Sequence, residues 1–171
     1  MATTNWKVDA SHSEIGFKVK HMMISTVKGA FEDFTASVET ENDDFKNAQF
    51  SFSAKVDSIN TKNKDRDTHL KSDDFFNVAE YPELTFKSTS FDGNTIVGDL
   101  TIKDVTKEIK LDTDFNGVAV DPYDQTKAGF EITGKLNRKD FGLTWSAVTE
   151  AGNIVVSDTI TLVVDVQFIK Q

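Results

Sequence analysis

The 171 residues carry 28 acidic against 19 basic side chains, a formal net charge of −9, and no cysteine. That excludes disulfides, thiolate nucleophiles and cysteine-type zinc sites, and so negative a chain disfavours nucleic acid and anionic membrane surfaces as partners. Hydrophobic residues at 38% and charged residues at 27% are the balance of a folded, soluble protein, and the length suits one domain spanning residues 1–171.

Met1 to Asn5 is short and polar, without the basic, apolar and cleavage regions of a secretory leader. The expectation is a cytoplasmic protein, or a periplasmic one if the sequence is a processed form. No apolar run approaches the roughly 20 residues that a membrane helix needs. From Glu14 onward the dominant period is two: Ile15, Phe17 and Val19 share one face, as do Ala48, Phe50, Phe52, Ala54 and Val56. The pattern recurs to the tail, where Ile160, Leu162, Val164, Val166 and Phe168 alternate with polar residues. Such alternation describes antiparallel strands with one wet and one buried face.

Eight strands are expected, at 13–20, 26–39, 47–58, 83–91, 95–103, 107–117, 126–137 and 154–168, with Trp6 to Asp9 leading into the first. The apolar parity slips near Glu32-Asp33, which predicts a bulge that bends one long strand. Turn signals stand at Asp92-Gly93-Asn94, Lys103-Asp104 and Asp121-Pro122-Tyr123-Asp124. Residues 60–82 break the rhythm, and Asp65 to Phe76 is predicted as a short helix with Leu70, Phe75 and Phe76 on its apolar side. The fold class that follows is all-β: an eight-stranded antiparallel barrel of lipocalin type with a helical insertion at about 60–82.

An eight-stranded barrel is either filled by its own side chains or leaves room for one small ligand. Inward positions carry small residues (Gly29, Ala54, Gly98, Ala128, Gly134) beside a large share of the 14 phenylalanines. Rings next to missing side chains can line a slot, or they can interdigitate in a solid core. The pattern leaves both open.

Little in the chain points to catalysis. His12, His21 and His69 lack the i, i+4 spacing of a helical metal motif, so no metal site is expected, and His12 is read as hydrogen-bonded to local backbone. There is no G-x-S-x-G and no phosphate-binding glycine loop. The densest polar cluster is Asp65-Arg66-Asp67-Thr68-His69. Arg66 either pairs with carboxylates and pins the helix to the barrel rim or, with His69 and the inward-parity His21, meets the polar end of a ligand. Asn137-Arg138-Lys139-Asp140-Phe141-Gly142 supplies a second arginine of the same kind.

The series Trp6-Lys7-Val8-Asp9, His12-Ser13, Phe17, Val19-Lys20-His21, Gly29-Ala30-Phe31, Arg66-Asp67-Thr68-His69-Leu70, Asp74-Phe75-Phe76, Tyr81-Pro82, Gly98-Asp99-Leu100-Thr101-Ile102, Val105-Thr106-Lys107, Gly134, Arg138 and Asp140-Phe141-Gly142 spans nearly the whole chain. In this order the residues resemble the YceI-like family of lipid-binding, lipocalin-like proteins. The resemblance implies an internal pocket for a polyisoprenoid, an isoprenoid quinone or a fatty-acid derivative, with a bacterial transport or stress-response role. It also implies frequent export to the periplasm and frequent dimers. Asp104 stands where the family commonly has Gly, and Asn77 where Asp commonly follows the paired Phe; both fall in surface turns.

The reading is therefore a non-catalytic carrier or storage protein without cofactor, holding a long apolar ligand. The expected pocket residues are Phe17, Val19, Val27, Gly29, Phe31, Phe50, Phe52, Leu70, Phe75, Phe76, Phe86, Gly98, Leu100, Phe130, Ile132 and Gly134, with His21, Arg66 and His69 at the head group. An enzyme acting on a lipid and a solid-core interaction module are the alternatives.

Overall fold

The computed structural model describes residues 3–22, 24–41, 44–143 and 156–171. Along them run β1 (Thr3–Val8), β2 (Glu14–His21), β3 (Ser25–Phe31), β4 (Phe34–Glu41), β5 (Asp44–Lys55) and β6 (Ile59–Asn60). Helix α1 (Lys64–Lys71) follows, then β7 (Glu83–Phe91), β8 (Thr95–Ile102), β9 (Val105–Val120), β10 (Thr126–Asn137) and β11 (Val156–Lys170).

Every pairing is antiparallel. The ring β1-β4-β5-β7-β8-β9-β10-β11 closes through β1 and β11, so none of these strands is left at an edge by the order of the ring. The remaining strands continue ring members. β2 extends β1 along β11, β3 extends β4 along β2, and β6 extends β5 along β3. The barrel thus has eight staves, three of them built from two strands each: the expected strand 26–39 divides into β3 and β4, while β1 and β6 lie outside the expected strands and lengthen the staves of β2 and β5.

The breaks differ from the sequence expectation in instructive ways. Trp6 to Val8 is no lead-in; it is the strand that closes the ring, set off from β2 by a short 3-10 turn at Ala10–His12. Glu32-Asp33 is a full break and not a bulge, because its backbone is taken by other partners: Glu32 N–H donates to Ser58 O at 3.2 Å, and Lys55 N–H to Asp33 O at 2.8 Å. The expected strand 47–58 starts at Asp44 and turns into a 3-10 segment at Val56–Ser58. β9 runs to Val120, three residues past its expected end. The expected start of the last strand at 154 lies outside the described residues.

Helix α1 also ends early, at Lys71 and not near Phe76. Its start is capped by the Asn63 side chain, which accepts from Arg66 N–H at 3.0 Å. At its end Ser72 takes an extended conformation (φ −74, ψ 172) and its hydroxyl donates to His69 O at 2.5 Å, so the hydroxyl competes for a helix carbonyl. The expected turns form. Asp92 accepts from Asn94 and Thr95 N–H, Gly93 takes φ 101, and Asp121 accepts from Tyr123 and Gln125 N–H.

One half of the barrel is solid. Phe130 packs against Phe45, Phe50, Phe115 and Phe168 with ring centroids 5.4, 5.6, 5.0 and 5.9 Å away. Trp6 joins through Phe45 at 4.9 Å. Mostly tilted or edge-to-face pairs of this kind fill space densely. Ala48 and Ala128, two residues from Phe50 and Phe130 on β5 and β10, are buried as well.

Outside the barrel, near the turn after β1, Asp9 accepts from Lys127 Nζ at 2.7 Å and lies 2.8 Å from His12 Nδ1, with Ser11 O–H also donating to it. His12 therefore pairs with a carboxylate and a serine hydroxyl and not with backbone. The Lys127 bond above all, with Ser11 and His12 adding to it against a smaller desolvation cost, holds the Asp9 carboxyl well below the usual range. A carboxyl lowered in the folded state stabilises above its unfolded pKa and loses that contribution as pH falls toward the folded value. Asp9→Asn should cost about 1–3 kcal/mol near neutral pH. Urea titrations at stepped pH should show the wild-type advantage holding to about pH 4 and shrinking below it.

Candidate functional site

The other half of the barrel is hollow. Its cavity of about 560 Å³ is walled almost entirely by carbon. Ile96, Phe50 and Phe168, which also belong to the aromatic layer or abut it, form the floor. Along β8, Ile96, Leu100 and Ile102 all face the space, and the opposite walls are alternate residues of β10 and β11: Ile132 and Leu136, then Ile160, Leu162, Val164 and Val166. Six residue steps of a tilted strand make the cavity roughly 15 Å deep. At about 30 Å³ per water-sized group, it takes on the order of twenty carbons.

The rim is polar. Lys20 and His21 at the end of β2, with Asn63, Asp65, Arg66 and His69 from the α1 segment, ring the space. Arg66 holds α1 to the barrel, with Nε donating to Thr61 Oγ1 at 2.8 Å and Nη2 to Thr61 O at 2.6 Å. Thr61 in turn donates its hydroxyl and backbone N–H to Asp67 at 2.5 and 2.9 Å. The pinning role expected of Arg66 is there, but its partner is a buried threonine in place of a carboxylate. His69 pairs with Asp74 (Nε2 to Oδ2, 2.8 Å) and packs edge-on against Phe75.

The expected pocket residues sort into two groups. Phe17, Val19, Val27, Phe31, Phe50, Phe52, Leu70, Phe75, Phe76, Phe86, Leu100 and Ile132 line the cavity, as do His21, Arg66 and His69. Gly29, Gly98, Gly134 and Phe130 do not. A Cβ at Gly29 would stand 2.5 Å from the Phe17 ring, one at Gly98 2.5 Å from the Phe86 ring, and one at Gly134 2.5 Å from Leu111 Cδ2. The space that each glycine leaves is taken by a neighbouring side chain, which thereby lies back against the wall. The glycines shape the cavity without facing it, and a larger residue at 98 would have to displace Phe86 and approach Lys87 O at 2.6 Å. Phe130 belongs to the solid layer beneath the floor.

Other lining residues were missing from the expected set, among them Thr61, Leu162 and Val164. The period-two parity of the last strand already marks Leu162 and Val164; Thr61 has no such signal. Arg138 is a further addition. It lines the cavity yet is 1% exposed, its guanidinium donating to Leu143 O at 2.6 Å, Ser157 O at 3.1 Å and Val156 O at 3.4 Å. Burial pulls its pKa down while Asp158 opposes the shift, and an arginine keeps its charge through both. Its bonds tie the end of β10 to the start of β11. Among the described residues no group of three or more His, Asp or Glu could hold a metal ion.

A family model for the YceI-like domain matches residues 6–168. A UPF0312 protein of Staphylococcus aureus (strain N315) is 39% identical over 166 residues, covering 96% of this chain and 97% of that one. The crystal structure of a Campylobacter jejuni YCEI protein is 35% identical, with a TM-score of 0.75 over 95% of this chain and 96% of that one. A polyisoprenoid-binding domain from Saccharophagus degradans shares the fold at 14% identity, with a TM-score of 0.71 over 97% and 98% of the two chains.

Proposed function

Because the chain belongs to the YceI-like domain family, we propose that it is a non-catalytic binding protein that carries or stores a long-chain apolar molecule of polyisoprenoid, isoprenoid-quinone or fatty-acid type inside its barrel. The observation that carries this reading is the distribution of polarity: the wall is hydrocarbon from floor to rim, and polar side chains gather at the rim. A molecule matching that wall has a long hydrocarbon tail and one polar end. The fold shared with a polyisoprenoid-binding domain suggests the same class of tail.

Each buried methylene contributes about 0.8 kcal/mol, so affinity grows with chain length until the cavity is full. The rim side chains then select the head group. Arg66 and His69 are already held by Thr61 and Asp74, which fixes their orientation at the rim where the polar end of a ligand would lie.

Native mass spectrometry of freshly purified protein should show added mass that organic extraction removes, and the stripped chain should take up a prenol of about twenty carbons. A chain that is always bare and takes up no prenol, quinone or fatty acid overturns the reading.

A further inference from the structure

Between Glu14 and Glu32 the chain has Lys18, Lys20, His21 and Lys28 and no carboxylate, although 28 acidic residues are spread through the whole. This stretch is the β2–β3 hairpin, and its end adjoins the cavity rim: Val19, Lys20, His21 and Val27 all line the space. The turn closes with Ile24 N–H donating to His21 O at 3.2 Å.

The hairpin departs from ordinary surface chemistry in several ways. Turns favour Gly, Asn, Asp and Ser, but the three residues between the partners His21 and Ser25 are Met22-Met23-Ile24. Met22 sits at φ 53, a region that bulky residues avoid. Ile24 is 82% exposed and Met22 37%. On the outer face Lys18 and Lys28 are direct cross-strand partners, where like charges repel. Lys20 donates only to Thr26 Oγ1, and among the described residues no ion pair involves Lys18, Lys20 or Lys28. Local rules broken together at one rim point to a function for the tip.

We propose that the β2–β3 tip docks on a lipid bilayer: Met22 and Ile24 enter the boundary between head groups and acyl chains, and the lysines meet anionic head groups. An apolar tip backed by lysines is the chemistry of interfacial anchoring. The acidic remainder of the molecule is repelled by the same surface, which turns the hairpin, and the cavity rim beside it, toward the bilayer. The purpose assigned to this docking, passage of a ligand between membrane and cavity, rests on the reading given under Proposed function.

The test is co-sedimentation of the full chain with vesicles of phosphatidylcholine, alone or mixed with phosphatidylglycerol. Wild type should sediment with the mixed vesicles. Ile24→Glu should lower partitioning at least about tenfold on them. Lys18→Gln with Lys28→Gln should lower it about tenfold or more, and added salt should mimic that loss. Both variants should keep the wild-type circular dichroism spectrum and take up ethanol-dispersed prenol normally. Wild type that ignores both vesicles, or Ile24→Glu that sediments like wild type, overturns docking. So does a dimer that Ile24→Glu turns into monomer, since the tip would then be a contact between copies. A wild type that docks but takes up no dispersed prenol keeps the docking and defeats the ligand reading.

Discussion

Leu100→Trp should abolish most ligand uptake while leaving the barrel folded. Leu100 stands in the second half of β8, paired with Phe86 and Lys107 and facing the cavity. An indole there fills space that hydrocarbon would otherwise occupy, excluding about one isoprene unit of chain. At about 0.8 kcal/mol per methylene that is about 4 kcal/mol, or roughly a thousandfold in Kd. The same indole lands in room that already exists, so the stability change should stay within about 1 kcal/mol, whereas overpacking a filled core costs about 1–3 kcal/mol. Prenol titration and urea unfolding on one preparation read both quantities. Unchanged uptake would mean that the ligand lies elsewhere. A collapse in stability would mean that the space at Leu100 is already occupied.

Much of this site was legible in the alternation of the strands. Period two places Phe86, Leu100 and Ile132 inward whatever the register, because a strand has only two faces. What it does not place is height along the barrel axis. Phe130 and Ile132 share a face two residues apart, yet one lies in the aromatic layer and the other on the cavity wall. That division depends on which rings from β5, β9 and β11 reach the same level, which is a matter of register between strands distant in sequence. The glycines misled for a related reason. A missing side chain leaves a gap only if no neighbour leans into it, and the rings of Phe17 and Phe86 do lean in.

Local backbone events were equally hard to read. A parity slip at Glu32-Asp33 fits a bulge or a break, and the choice is made by Lys55 and Ser58, which are far along the chain. Arg66 was recognisable as an anchor because a guanidinium favours fixed, multiple bonds. Its partner was not, since a threonine five residues upstream gives no pattern, and a guanidinium among acidic neighbours points to a carboxylate.

Phe130→Ala should be among the most destabilising single truncations in the barrel, and its contrast with Ile132→Ala tests the half-solid architecture. Phe130 is 1% exposed and touches four other rings, so its loss leaves a void that rigid neighbours cannot fill. Such truncations cost about 3–5 kcal/mol, a large part of the roughly 5–15 kcal/mol that holds a domain folded. Ile132→Ala removes fewer atoms and merely enlarges a cavity that is already present. Its cost should fall near the lower end of the range for such changes, about 2 kcal/mol. Urea midpoints of ligand-stripped protein, with unchanged slopes, give the difference directly. Equal costs at the two sites would mean that the wall at Ile132 is packed as tightly as the aromatic layer, and a barrel filled at both levels has no room for a tail.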